Sequence, residues 1–190
     1  MTARAASRWN VANVVTVVRI VLVPVLAVVT LAGGGHDETW RWIAAAGFLA
    51  VSLTDRLDGY LARSRGLVTD LGKLLDPIAD KLLVGTALVL LSALGDLPWW
   101  VTVVIMVREI GVTVLRFVLL RFGVIAASRG GKIKTVLQTA AITLFLMPLW
   151  TVPDPVTWFA WVVMVAAVVV GTVTGAEYAV VGERMRRAQR

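Results

Sequence analysis

The chain contains no cysteine and a single histidine, His36, and only 16% of its 190 residues are charged. Without cysteine, neither disulfide bridges nor thiolate chemistry can carry the fold or the function. His36 falls in a glycine-rich loop and reads as a solvated side chain, so no imidazole relay is on offer. The GxxxxGK[ST] phosphate loop is also absent. The scarcity of charge stands beside 58% hydrophobic residues and a mean hydropathy of +0.83. Those values exclude a disordered chain and argue against an ordinary water-soluble domain. The formal charge of +7 does not indicate a nucleic-acid partner, because the basic residues are not gathered on a soluble module with interleaved aromatics. No internal repeat, low-complexity tract or second domain is visible, so residues 1–190 read as one domain.

What the chain does have is apolar runs, at roughly 13–32, 40–62, 74–95, 98–121, 135–151 and 156–181. Each has the length of a membrane-spanning helix, which predicts an all-α integral membrane protein with six transmembrane helices. Three turn-forming connections lie between them: Gly33 to Asp37, Gly95 to Pro98, and Pro153 to Pro155. Alternation places these on one side, where Arg41 is the only basic residue nearby. The other side collects Arg4 and Arg8; Arg63, Arg65 and Lys73; Arg121, Arg129, Lys132 and Lys134; and Arg184, Arg186, Arg187 and Arg190. By the positive-inside rule both termini are cytoplasmic. Arg4 to Trp9 predicts a short N-terminal interfacial helix rather than a cleavable signal. Arginine-, alanine- and valine-rich usage points to GC-rich coding and a multi-pass protein of a bacterial plasma membrane.

The informative residues are those that a membrane disfavours. An Asp or Arg at the centre of a spanning helix costs about 2.5–3.5 kcal/mol, so each needs a reason. Segment two ends with Asp55, Arg56, Asp58, Gly59, Ala62 and Arg63; five of these, all but Arg56, share an arc of about 140°. Segment three opens with Gly72, Lys73, Asp76, Asp80 and Lys81, and Gly72, Asp76 and Asp80 line one edge about 80° wide. A short connection makes the two segments antiparallel neighbours, so four carboxylates can converge near the cytoplasmic interface. They cannot all stay ionised without cations. Arg56, Arg63, Lys73 and Lys81 supply one solution, plain salt bridging. A divalent-metal centre is the other: hard oxygen ligands suit Mg²⁺ or Mn²⁺, commonly bound together with a substrate's phosphates. Salt bridging leaves Gly59 and Gly72 unexplained, whereas a bulky phosphorylated ligand needs close backbone approach there.

Asp55, Asp58, Gly59, Ala62, Arg63, Gly72, Asp76 and Asp80 match position by position the DxxDGxxAR…GxxxDxxxD signature of the CDP-alcohol phosphotransferases, and the chain resembles that family. The resemblance implies six membrane helices, a homodimer, and transfer of a phosphatidyl-type group from a CDP-linked lipid to an alcohol with release of CMP. It implies that Asp55, Asp58 and Asp76 hold one or two metal ions, with Asp80 in the same cluster as general base. Asp55, Gly59, Ala62, Arg63 and Gly72 would contact the CDP moiety.

The acceptor has to be read elsewhere. Residues 126–138 form a glycine-bearing basic turn leading into segment five, and Arg129, Lys132 and Lys134 with helix N-terminal amides make a candidate anion site. The alternative is an anchor to anionic headgroups. Against it, all four lysines of a chain with 15 arginines fall between positions 73 and 134. Segment four adds Arg108, Glu109 and Arg116 within about 100°. They read either as an internal ion pair or as binders of an acceptor phosphate. Asn13, Thr16, Arg19, Ile20, Pro24, Ser52 to Thr54, Leu75 to Lys81, Arg108, Glu109 and Ser128 to Gln138 resemble the phosphatidylglycerophosphate synthase branch. That branch implies CDP-diacylglycerol and sn-glycerol 3-phosphate as substrates. Arg56 and the doubled Gly130 and Gly131 depart from its pattern and bear on the acceptor. Sister enzymes would use phosphatidylglycerol or inositol phosphate. A divalent-cation or proton-coupled transporter is the reading from another class, disfavoured because the carboxylates lie near helix ends and no inverted repeat is present.

Overall fold

The computed structural model describes the backbone of residues 11–64, 70–119 and 129–187, and the side chains of residues 16–54, 75–115, 117–119 and 130–187. Its regular structure among the described residues is all helical: α1 (Val11–Leu31), a 3-10 turn at Ala32–Gly35, α2 (Glu38–Ser64), α3 (Asp70–Ala93), α4 (Trp99–Leu119), α5 (Arg129–Leu146) and α6 (Asp154–Arg187). The six match the six apolar runs in order. The expected interfacial helix at Arg4 to Trp9 lies outside the described residues. By length and composition, two helices among the described residues are apolar enough to cross a membrane, Thr16–Gly35 and Asp154–Arg187. Outward faces are apolar on these two helices and on α4 as well: Val28, Val162 and Val107 are 70%, 63% and 66% exposed. Faces of that kind need lipid rather than water as solvent.

The chain forms two compact units, Met1–Leu91 with Leu146–Pro148, and Ser92–Phe145 with Leu149–Arg190. In the first unit α1 packs along α2, with Val23, Leu26, Ala44, Ala45 and Phe48 among its buried side chains. The link between them is a turn of three glycines, Gly33, Gly34 and Gly35, with φ of 61°, 75° and 81°. Only glycine adopts three such left-handed conformations in succession at little cost. A Cβ at Gly33 would also run into the Asp37 side chain. Asp37 is needed there because its Oδ1 accepts the Trp40 N–H at 3.0 Å, capping α2, while its carbonyl accepts the Arg41 N–H at 3.0 Å.

Arg41, the one basic residue expected beside the outer connections, is 1% exposed. Its Nε donates to the Leu146 carbonyl at 2.9 Å and its Nη1 to the Gly35 carbonyl at 3.2 Å. Leu146 closes α5, and the last carbonyls of a helix lack intrahelical donors. One guanidinium thus ties the glycine turn to the end of a helix far along the chain.

In the second unit α4 and α6 run side by side and parallel: a Cβ on Gly175 would lie 3.2 Å from Arg108 Cγ, and one on Gly182 2.6 Å from Leu119 Cδ1. The buried face of α6 is a stripe spaced by three and four, through Ala160, Met164, Ala167, Gly171, Thr174, Tyr178 and Gly182. Small residues there let the helices approach closely. Ser92 and Thr102 hydrogen-bond at 2.7 Å, and Phe145 meets Trp161 edge to face at 5.0 Å.

Candidate active site

The backbone places Asp55, Asp58, Gly59, Ala62 and Arg63 in the last turns of α2, and Gly72, Asp76 and Asp80 in the first three turns of α3. The side chains of Asp55, Arg56, Asp58, Ala62, Arg63 and Lys73, with Gly59 and Gly72, lie outside the described ones, as does the expected convergence of the two carboxylate faces. Asp76 and Asp80 are described. They are one helical turn apart on the same face. The Asp80 carboxylate is 47% exposed, with Lys81 Nζ at 3.9 Å, the long limit of an ion pair.

Asp76 has a partner sixty residues away: the Thr16 hydroxyl donates to its Oδ1 at 2.5 Å. Thr16 is buried on α1, so the bond is a charge-assisted one between two helices. It fixes the rotamer of the Asp76 carboxylate. A Thr16→Val variant keeps the shape and removes the donor. Its turnover should fall about 10- to 100-fold at unchanged fold, the usual cost of losing such an outer partner, measurable as CMP release at several metal concentrations.

The donor set fits a divalent cation. It consists of carboxylates without soft sulfur or imidazole ligands, at two consecutive helix ends, as hard ions prefer. Among the described residues no group of three acidic or histidine side chains is gathered; only two of the four aspartates belong to that set.

A second polar centre lies within the other unit. Arg108 on α4 donates from Nε to the Gly171 carbonyl at 2.9 Å, from Nη2 to Thr174 Oγ1 at 3.1 Å, and from Nη1 to Glu109 Oε1 at 3.0 Å. Lys134 Nζ, on α5, pairs with that same Glu109 oxygen. Side-chain exposures of 13%, 7% and 8% for Arg108, Glu109 and Lys134 make this a buried cation–anion–cation arrangement of net charge +1. Gln138 and Thr174 are buried beside it. A cavity of about 10 Å³, room for about one water, adjoins the group. Gly175 lets the Arg108 stem lie close against α6, where a Cβ would stand 3.2 Å from Arg108 Cγ; one on Gly171 would stand 3.8 Å from Lys134 Cγ.

The structure thus unites Arg108 and Lys134 but not Lys132, which is exposed on another face of α5. The side chains of Arg116 and Arg129 lie outside the described ones, and so do residues 120–128, which hold Arg121 and Ser128. Gly130 and Gly131, expected in a turn, sit in the first helical turn of α5. Thr174, Gly171 and Gln138 were not legible as one group, although two glycines four apart beside a threonine in an apolar helix were a usable signal. Further along α6, Glu177 is exposed and Tyr178 buried. At the end of α6, Glu183 pairs with Arg186 and Arg187 at 3.0 Å and 2.9 Å.

Comparison with known proteins places the chain in a family. The model of the family described as CDP-alcohol phosphatidyltransferase matches residues 9–173. A probable phosphatidylglycerophosphate synthase of Mycobacterium tuberculosis is 52% identical over 169 residues, 89% of this chain and 79% of that protein. A CDP-diacylglycerol–glycerol-3-phosphate 3-phosphatidyltransferase of Bacillus subtilis is 41% identical over 183 residues, 90% of this chain and 93% of its own. One of the same name from Rickettsia felis is 37% identical over 139 residues, 73% and 75% of the two chains. With the family match running through both units and including every residue of the aspartate signature, this chain belongs to the CDP-alcohol phosphatidyltransferase family.

Proposed function

We propose that this chain is a phosphatidyltransferase of phospholipid biosynthesis, joining CDP-diacylglycerol to sn-glycerol 3-phosphate to give phosphatidylglycerophosphate and CMP. The observation that carries the reading is the complete aspartate signature on α2 and α3 in a chain 41% identical over 183 residues to a relative named for that reaction. In the reaction the acceptor hydroxyl oxygen bonds to the lipid-bearing phosphorus, the bond from that phosphorus to CMP breaks, and the hydroxyl proton leaves.

Each step has a residue in this chain. Asp55, Asp58, Asp76 and Asp80 form the ligand set for one or two divalent ions, Mg²⁺ or Mn²⁺. An ion held by them would supply charge neutralisation at the diphosphate as CMP leaves. Thr16 holds Asp76 in its ligand rotamer. Asp80, whose side chain is 47% exposed and within reach of a hydroxyl, takes the proton. Asp55, Gly59, Ala62, Arg63 and Gly72 cradle the CDP moiety. Arg108, Arg116, Arg129, Lys132 and Lys134 attract the acceptor's phosphate; Arg108 and Lys134 form its inner pair.

The same reading makes residues 1–190 one catalytic domain of six membrane-spanning helices, paired as a homodimer. Both termini and the aspartate end of α2 and α3 face the cytoplasm of a bacterial plasma membrane. The distribution of basic residues supports that orientation.

The test is CMP release by detergent-purified protein from CDP-diacylglycerol, with Mg²⁺ or Mn²⁺, against glycerol 3-phosphate, phosphatidylglycerol, inositol phosphate and no acceptor. Release should require both metal and glycerol 3-phosphate. Dependence on another acceptor would keep the reaction class and change the product. Folded protein that releases no CMP with any acceptor would overturn the proposal in favour of ion transport.

A further inference from the structure

We infer that Glu109 is a positioning residue for the acceptor site: its carboxylate fixes the Arg108 guanidinium and the Lys134 ammonium side by side, as one preset receptor for a phosphate monoester. The inference rests on the proposal that Arg108 and Lys134 bind the acceptor phosphate.

The geometry distinguishes Glu109 from a mere charge balance. Arg108 and Lys134 come from different helices, α4 and α5, and both engage the same oxygen, Glu109 Oε1. The separation of the two cationic heads is therefore set by one atom. Arg108 is held from a second direction by the Gly171 carbonyl and Thr174 of α6, which leaves its plane little freedom. Lys134 has a flexible four-carbon stem and gains its fixed position from the carboxylate. Two cations this buried repel each other, and without the intervening oxygen they would separate or draw in water. Positioning of this kind matters because a displacement of about 1 Å in a binding group can cost about 100-fold in rate.

A carboxylate beside the phosphate subsite also opposes an incoming anion. The two effects predict opposite signs. If Glu109 chiefly competes with the acceptor, its neutralisation tightens acceptor binding; if it positions the cations, neutralisation loosens it. The site has net charge +1 with Glu109 in place, and the adjoining cavity of about 10 Å³ does not accommodate a phosphate inside the trio. The phosphate therefore meets the outer side of two cations whose inner side is already fixed, and positioning prevails.

The experiment compares Glu109→Gln, Glu109→Asp and Lys134→Gln with the parent protein in CMP release. It measures KM for glycerol 3-phosphate, KM for CDP-diacylglycerol, kcat, the inhibition constant of inorganic phosphate against the acceptor, and the melting temperature in detergent. Glu109→Gln should raise the acceptor KM at least about tenfold and weaken phosphate inhibition in parallel, leaving the CDP-diacylglycerol KM within about twofold. Glu109→Asp, which keeps the charge on a shorter stem, should give an intermediate acceptor KM, and it decides the matter if the glutamine variant does not fold. A lowered or unchanged acceptor KM overturns the inference. So does an equal loss in both KM values accompanied by a fall in melting temperature, which marks a purely structural role. Lys134→Gln separates the two levels: if it leaves the acceptor KM unchanged, the phosphate-site reading fails and the inference with it. If Lys134→Gln raises that KM and the Glu109 variants do not, only the inference fails.

Discussion

An Asp80→Asn enzyme should still bind CDP-diacylglycerol and release CMP about 10²- to 10⁴-fold more slowly, the range that loss of a general base costs. The amide keeps the size of the side chain and much of its hydrogen bonding but cannot take a proton from the acceptor hydroxyl. Asp76→Asn should differ in kind. Its carboxylate is the one held by Thr16 at 2.5 Å, as expected of a group that must present charge in one direction. Its loss should therefore weaken the metal dependence and the nucleotide affinity as well as the rate, by about 10²- to 10³-fold or more. Asp58→Asn should behave in the same way. The measurements are CDP-diacylglycerol binding by titration and CMP release across a series of Mg²⁺ concentrations. Full activity in any of these variants would remove that residue from its proposed role.

The largest expected loss of stability is at Arg41, on the unit's opposite fringe from chemistry. Arg41→Met keeps the apolar stem and removes the donors to the Leu146 and Gly35 carbonyls, both in buried surroundings. An unsatisfied buried acceptor costs about 1–3 kcal/mol, so the pair should lose about 2–5 kcal/mol. For a chain of this size that corresponds to a melting temperature lower by about 5–15 °C in detergent. Arg41→Lys should recover only part of it, because one ammonium does not reproduce the guanidinium's fork. Unchanged thermal stability in Arg41→Met would show that the two carbonyls find other donors.

Much of the fold was legible because hydropathy is a strong signal when lipid is the solvent. The six runs fall on the six helices in order, and the errors at their ends have physical causes. The fifth run was read as 135–151, but α5 occupies Arg129–Leu146. It starts early because helical hydrogen bonding outweighs the propensity cost of Gly130 and Gly131. It stops early because Pro148 disfavours the helical conformation of the residue before it. The sixth run was read to 181, and α6 continues to Arg187, where Glu183 with Arg186 and Arg187 at helical spacing extends it.

The aspartate signature was legible for a different reason: its spacings are local, and a helix turns local spacing directly into a shared face. The partners of these residues were less so. Arg108 with Glu109 was read as an ion pair from adjacency. That Lys134, 25 residues away, completes it depends on how α5 packs beside α4, which no local pattern encodes. Thr16 beside Asp76 is the same case across 60 residues. Arg41 was counted as a loop charge, and only the tertiary structure reveals it as a buried clasp.

That clasp also bears on the order in which the protein is assembled. Residues Leu146–Pro148 belong to the unit otherwise formed by the first 91 residues, and the bond from Arg41 reaches across 105 positions to get there. During synthesis the α1–α2 hairpin is therefore made long before its last tie exists. It has to wait while α3, α4 and α5 emerge from the ribosome. A truncation just short of residue 146 would leave the hairpin without that tie.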